Sequence, residues 1–384
     1  MGLVKLLKNA EVFSPKPVGK KDILIVGNKI AVVESDISVN VPDLDIINAS
    51  GLIAIPGLID THVHFLGGGG EGGFSTRTPE LDPRDCIVNG VTTLVGCLGT
   101  DGITRSLDSL YAKAKALEEC GLTTFIYTGS YRVPPVTFTG SVQRDIVLID
   151  KVIGVGEIAI SDHRSSQPTY EEILRIVADA RVGGMLSGKP GIVNFHVGAG
   201  RKGIEYLFKI AEETEIPIQH LYPTHMSRSK KLFEEGLRFC ELGGVIDITA
   251  LQPFEKEENF GPVDALVMAY ENGLIDAVTI SSDAQGSLPV FDDKGNMVGF
   301  KVGSVAALLH TVKLAVEKGL PLELILKTVT LTPAKVLRLK YKGKIEKGYD
   351  ADIVLMEDFH IKWVISKGKF LMVEGNVVEP FKVM

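Results

Sequence analysis

Two hydrophobic rhythms alternate along the chain. Near both ends, apolar positions recur at every second residue or in short runs, as strands require. Residues 22–27 read Asp-Ile-Leu-Ile-Val-Gly and meet Gly27-Asn28, a pair that favours a hairpin turn into residues 29–34. Residues 43–47 and 52–55 extend this pattern. Residues 351–356, 361–365 and 369–373 repeat it at the other end, with Gly368 and Gly375-Asn376 at turns. Two strand-rich ends around a different middle predict one small β-sandwich domain, assembled from residues 1–54 and 345–384.

From 55 to 344 the pattern changes. Short β-branched runs occur at 58–62, 92–95, 124–128, 151–155, 192–196, 221–225, 245–249 and 278–282. Stretches of helical period lie between them, most clearly at 105–120, 171–180, 203–214 and 230–242. Eight strands separated by helices predict an α/β fold, a (β/α)8 TIM barrel. A doubly wound sheet has the same periodicity.

Composition narrows the function. The 384 residues are enough for a barrel and a second domain. With 45% hydrophobic and 23% charged residues, the chain is neither disordered nor collagen-like. Lys and Arg total 41 and Asp and Glu 48, giving a net charge of −7 without a basic block. That argues against nucleic acid as a partner. No run of ~18 uncharged apolar residues occurs, so no membrane span is expected. Lysines at 5, 8, 16, 20 and 21 interrupt any signal-peptide core. Cys86, Cys97, Cys120 and Cys240 form no CxxC pattern and read as free thiols of a cytoplasmic protein.

The chemistry gathers at strand ends. Asp60-Thr-His62-Val-His64 closes the first barrel strand, and side chains two apart on a strand face the same way. His196 ends the fifth strand, His225 the sixth, and Asp283 follows the eighth. In a (β/α)8 barrel these ends converge on one face, so the residues can share a metal site. His220, His310 and His360 lie elsewhere and read as ordinary. Residues 183–189 fit GxxxxGK, but Pro190 replaces the hydroxyl residue of a P-loop and a strand follows instead of a helix. The glycines at 67–73 lack a strand–turn–helix setting and read as a flexible loop that brings backbone N–H groups near an anion.

Residues 50–60, Ser-Gly-Leu-Ile-Ala-Ile-Pro-Gly-Leu-Ile-Asp, followed by Thr-His-Val-His, resemble the opening of the amidohydrolase superfamily. Residues 343–355 resemble its return into the small β-sandwich. Within it, the chain is similar over nearly its whole length to the isoaspartyl dipeptidase (β-aspartyl peptidase) family. The segments that carry this include Gly-Gly-Gly-Gly-Glu-Gly at 67–72, Thr-Gly-Ser-Tyr at 128–131, Ser-Asp-His-Arg at 161–164, Pro-Thr-His at 223–225 and Ser-Ser-Asp at 281–283.

The resemblance implies hydrolysis of the β-peptide bond of isoaspartyl dipeptides by a metal-bound hydroxide. Two divalent ions, expected to be zinc, would be held by His62, His64 and Asp283 and by His196 and His225. The family usually bridges its ions with a carboxylated lysine on the fourth strand. Here that strand reads Val-Ile-Gly-Val-Gly-Glu and has no lysine, so Glu157 is the expected bridging carboxylate, with Asp162 as the alternative. Glutamate is shorter than carboxylated lysine, so a one-residue shift in the strand is expected to bring it closer. Asp283 would also transfer the proton, and Tyr131 would stabilise the oxyanion. Glu71 would bind the substrate ammonium. Gly69, Thr100 and Ser287 would bind the aspartyl α-carboxylate, and Arg164 and Arg228 the C-terminal carboxylate. A homo-oligomer is also implied. The alternative is another amide hydrolase of the superfamily, a cyclic amidase or an N-acyl-amino-acid deacylase.

Overall fold

The computed structural model describes residues 2–255, 260–291 and 297–378. Eight parallel strands form the central barrel: Leu58–Val63, Val91–Gly96, Thr123–Thr128, Val152–Ile160, Ile192–Val197, Leu221–Thr224, Ile246–Thr249 and Val278–Ser281. A helix follows each strand in the chain. The first six strands are bonded in sequential order, and the last two form a parallel pair. This order lacks the reversal of a doubly wound sheet. The ring closes between its ends. Val63 bridges Ala284 in parallel, and the His64 N–H donates to the Ala284 carbonyl at 2.9 Å. Strands such as Ile192–Val197 are buried throughout, which explains their continuous apolar runs.

Two barrel elements differ from the sequence expectation. The fourth strand continues beyond 155 to Ile160 and carries Glu157 within it. Its register with the fifth strand slips there: Val193 faces Val155, but Phe195 faces Ile158. Three steps on one strand match two on the other, which is a one-residue bulge. The helix expected at 171–180 spans Tyr170–Ser187. Thr169 and Glu172 form a capping box at its start, and Gly188 stops it in the left-handed conformation at φ 70°. Gly183 and Gly184 do not break it. A Cβ on Gly184 would lie 2.7 Å from the Gly191 Cα, so close packing against the next strand requires glycine. The Lys189 ammonium of the GxxxxGK match donates to the Ile146 and Val152 carbonyls, at 2.7 and 2.9 Å.

Both termini build the second unit, a nine-stranded sheet among the described residues. Val4–Phe13, Pro17–Val26, Lys29–Glu34, Leu44–Asn48 and Ile53–Pro56 come from the start of the chain. Ile353–Glu357, His360–Ser366, Lys369–Val373 and Asn376–Val377 come from the end. The two halves join where Ile53–Pro56 pairs antiparallel with Ile353–Glu357. Leu7, Val12, Ile23, Ile25, Ile353, Leu355 and Ile365 form a core of their own. Residues 1 and 379–384 of these terminal segments lie outside the described residues. No helix among the described residues is long and apolar enough to cross a membrane.

Candidate active site

The C-terminal ends of the barrel strands bring four imidazoles around one carboxylate. Glu157 is fully buried. Its Oε2 lies 3.3 Å from His62 Nε2, 3.0 Å from His196 Nδ1 and 3.7 Å from His225 Nε2, and its Oε1 lies 3.4 Å from His64 Nε2. Asp283 joins from the eighth strand, its Oδ1 3.1 Å from His64 Nε2 and 3.7 Å from His62 Nε2. Asp60 ties strands one and eight below this group. Its carboxylate accepts the Ser282 hydroxyl, and the Ser282 N–H at 3.1 Å. Burial pushes the Asp60 carboxyl up to about 7.

Backbone and neighbours orient the ring. His225 and Asp283 adopt left-handed backbone angles, at φ 65° and 52°, which turn both side chains at the ends of their strands. The His62 Nδ1–H donates to Asn194 Oδ1 at 3.0 Å, and His225 Nδ1 is hydrogen-bonded to the Thr249 hydroxyl at 2.6 Å. Both rings therefore present Nε2 toward Glu157. Asn194 and Thr249 were not visible as site residues in the sequence. Thr249 lies on the strand after that of His225 and Asn194 lies across the barrel from His62, and only the ring of strands brings each beside its histidine.

The electrostatics of this cluster oppose one another. Burial pushes Glu157 up, but the imidazoles of His62, His196 and His225 overcome it and hold the carboxyl well below its usual range. Burial likewise raises Asp283, and His64, His225 and His62 reverse that. Burial pushes His225 down to about 3, assisted by His196 and Arg228. Burial also lowers His62 and His64, yet Cys97 and the carboxylates lift both well above the ordinary value. Among the described residues, seven buried side-chain polar atoms lack a hydrogen-bond partner. Three of them, His62 Nε2, Glu157 Oε1 and Asp283 Oδ1, face one another here. Lone pairs aimed at a common point fit divalent cations. Two groups have donor atoms all within 4.8 Å of one another, close enough to share a cation: His62, His64, Cys97 and Glu157, and Glu157, His196 and His225.

Asp162, the alternative bridge, lies at the outer edge. It accepts two bonds from the Arg164 guanidinium, at 3.0 and 2.8 Å, and one from the Arg164 backbone N–H at 2.7 Å, and lies 3.1 Å from His196 Nε2. It does not sit among the four imidazoles. The Tyr131 hydroxyl is 2.8 Å from His196 Nδ1, and burial pushes the phenol well above its usual range, so it keeps its proton.

The remaining expected residues form a polar rim. The Glu71 carboxylate accepts from the Thr100 hydroxyl at 3.0 Å and the Ser287 hydroxyl at 3.2 Å, and lies 3.4 Å from Arg164 Nη1. The Arg228 Nε–H donates to the Val197 carbonyl at 2.9 Å, which directs its guanidinium to the edge of His196. Gly69 must be glycine, because a Cβ would lie 2.3 Å from the Thr76 oxygen at φ +71°. Its loop is held from below by Arg105, which precedes the helix Leu107–Glu119. Arg105 is 4% exposed and donates to the carbonyls of Leu66 at 3.0 Å and Gly68 at 2.6 Å, and it pairs with Asp101 at 3.3 Å. Buried donors and charged rim line one cavity of about 1820 Å³.

Comparison with known proteins agrees with this geometry. Residues 53–382 match the amidohydrolase family. The chain is 65% identical to the beta-aspartyl dipeptidase of thermophilic, keratin-degrading Fervidobacterium islandicum AW-1, solved in complex with a beta-Asp-Leu dipeptide. That match has a TM-score of 0.94 and covers 99% of this chain and 98% of the other. A dihydroorotase of Elusimicrobium minutum is 28% identical, over 94% of this chain and 90% of its own. A dihydropyrimidinase of Brevibacillus agri NCHU1002 shares the fold at 18% identity and a TM-score of 0.67, over 98% of this chain and 96% of that one.

Proposed function

The chain belongs to the amidohydrolase family, and we propose that it is a metal-dependent isoaspartyl dipeptidase that hydrolyses the β-peptide bond of β-aspartyl dipeptides. One observation carries the reading. The same cavity is lined by His64, His196, His225 and Asp283 on its floor and by Glu71, Arg164 and Arg228 around it. A zwitterionic substrate with a carboxylate at its far end needs both sets. The 65% identity to a dipeptidase solved with beta-Asp-Leu supports the same substrate class.

In this reading His62, His64 and Asp283 would hold one divalent ion, His196 and His225 the other, and the Glu157 carboxylate would bridge them. Zinc is the metal proposed. Such a pair, when bound, brings the pKa of water to ~7 and polarises the scissile carbonyl. The side chains do the rest. Glu71 pairs with the substrate ammonium. The Thr100 and Ser287 hydroxyls and the Gly69 backbone bind the aspartyl α-carboxylate. Arg164 and Arg228 fork onto the terminal carboxylate, which guanidinium geometry suits. Tyr131, still protonated, donates to the oxygen on which charge develops. Asp283 accepts a proton from the attacking water and returns it to the leaving amine.

The protein as a cytoplasmic homo-oligomer completes the proposal. Cys86, Cys97, Cys120 and Cys240 are all free thiols, as a reducing compartment allows, and size-exclusion chromatography tests the assembly. The test of activity uses zinc-loaded protein on β-Asp-Leu, α-Asp-Leu and N-acetyl-β-Asp-Leu. Turnover of the first alone is expected. Equal turnover of all three, or none, overturns the dipeptidase reading and moves the substrate to another amide class.

A further inference from the structure

Cys97 lies immediately after the second barrel strand and is 1% exposed. Its neighbours there are unusual for a packed thiol. The Sγ is 3.9 Å from His64 Nδ1, near the limit for a sulfur contact, and 3.6 Å from the Val63 carbonyl oxygen. Yet Sγ belongs to a set with His62, His64 and Glu157 whose donor atoms all lie within 4.8 Å of one another. Two members of that set, His62 Nε2 and Glu157 Oε1, are buried without a hydrogen-bond partner.

We propose that Cys97 is a metal ligand, its thiolate supplying a sulfur donor to the more buried metal position beside His62, His64 and Glu157. The inference rests on the metal-dependent reading above and deepens it. An all-oxygen-and-nitrogen site accepts many divalent ions. A thiolate adds a preference for softer ions such as zinc over magnesium or manganese. Cys86, Cys120 and Cys240 belong to neither donor group found among the described residues, so sulfur seen at the metal reports on Cys97.

The test is X-ray absorption at the zinc edge of the wild-type holoprotein, with metal content measured on the same sample. A sulfur shell at ~2.3 Å beside the nitrogen and oxygen shell is expected. Cobalt-loaded wild type should also show a near-ultraviolet sulfur-to-metal charge-transfer band that Cys97→Ser loses while keeping its visible d–d bands. Where Cys97→Ser does not fold, the wild-type absorption spectrum decides alone. Two bound metals per chain with only nitrogen and oxygen neighbours overturns the Cys97 assignment and leaves the dipeptidase reading intact. Protein that takes up no metal overturns both.

Discussion

The floor and the rim of the cavity are built on opposite principles. The floor residues His62, His64, Glu157, His196, His225 and Asp283 sit on or just beyond barrel strands, and their positions follow from the backbone ring. Their polar atoms converge, and three of them lack protein partners. The rim residues Glu71, Thr100 and Arg164 sit on loops, Ser287 opens the strand Ser287–Phe291, and the four satisfy one another through hydroxyl and guanidinium contacts. A site whose lone pairs are left over needs a cation to complete it. A site whose charges already pair can exchange those contacts for a substrate's own charges. In the proposed function the floor would govern metal and chemistry, and the rim would govern which amide enters.

The largest break in this division is expected at the floor. His62→Ala removes a buried ligand and should lower kcat on β-Asp-Leu by more than ~100-fold, beyond the ~10–100-fold typical of outer-shell changes. Metal analysis of the folded variant should show less than the wild-type content. Unchanged turnover with full metal would dissolve the distinction between floor and rim.

Next in size is Asn194→Ala, which frees the His62 ring without removing it. Metal affinity should fall ~10–100-fold, read by chelator competition, and activity should return at high zinc. Loss that zinc does not restore would make Asn194 a packing residue instead. The corresponding change on the rim is Glu71→Gln. It should raise KM for β-Asp-Leu about tenfold or more while leaving bound metal unchanged, since an ammonium–carboxylate pair is lost and the donors are not. A fall in kcat with unaltered KM would place Glu71 in the chemistry.

The smallest effect sharpens the comparison. Arg105→Lys keeps the charge but loses the fork that holds the Leu66 and Gly68 carbonyls. KM should rise ~2–10-fold with kcat nearly constant, because the change reaches substrate only through the loop that carries Glu71. Equal falls in kcat and metal content would show that the loop also supports the floor.

The same contrast explains what could be read from sequence. Strand-end histidines were legible because a parallel barrel sends all such ends to one face. The bridging role expected of Glu157 came from a missing lysine, and the one-residue bulge lies between Val155 and Ile158, in the stretch that carries Glu157. Val4–Phe13 was not resolved as an element, because Lys5, Lys8, Asn9 and Glu11 obscure its alternation; the Lys5 ammonium is accommodated by the Gly2 carbonyl at 2.7 Å. The extent of the Tyr170–Ser187 helix was hidden by Gly183 and Gly184, whose cost is offset by packing. Arg105, Asn194 and Thr249 were invisible for a different reason. Asn194 acts on a residue 132 positions away, and no local spacing encodes such a contact.

The central claim is that a single glutamate carboxylate gathers both metal positions. Its most direct measurement is reconstitution of the metal-free protein with Zn²⁺ in buffer stripped of CO₂ and bicarbonate. Two zinc ions per chain and full turnover of β-Asp-Leu without bicarbonate are predicted, because Glu157 already carries the bridging oxygens. A strict bicarbonate requirement for either would contradict the account, since it would mean that a carbamate formed elsewhere, and not Glu157, joins the two positions.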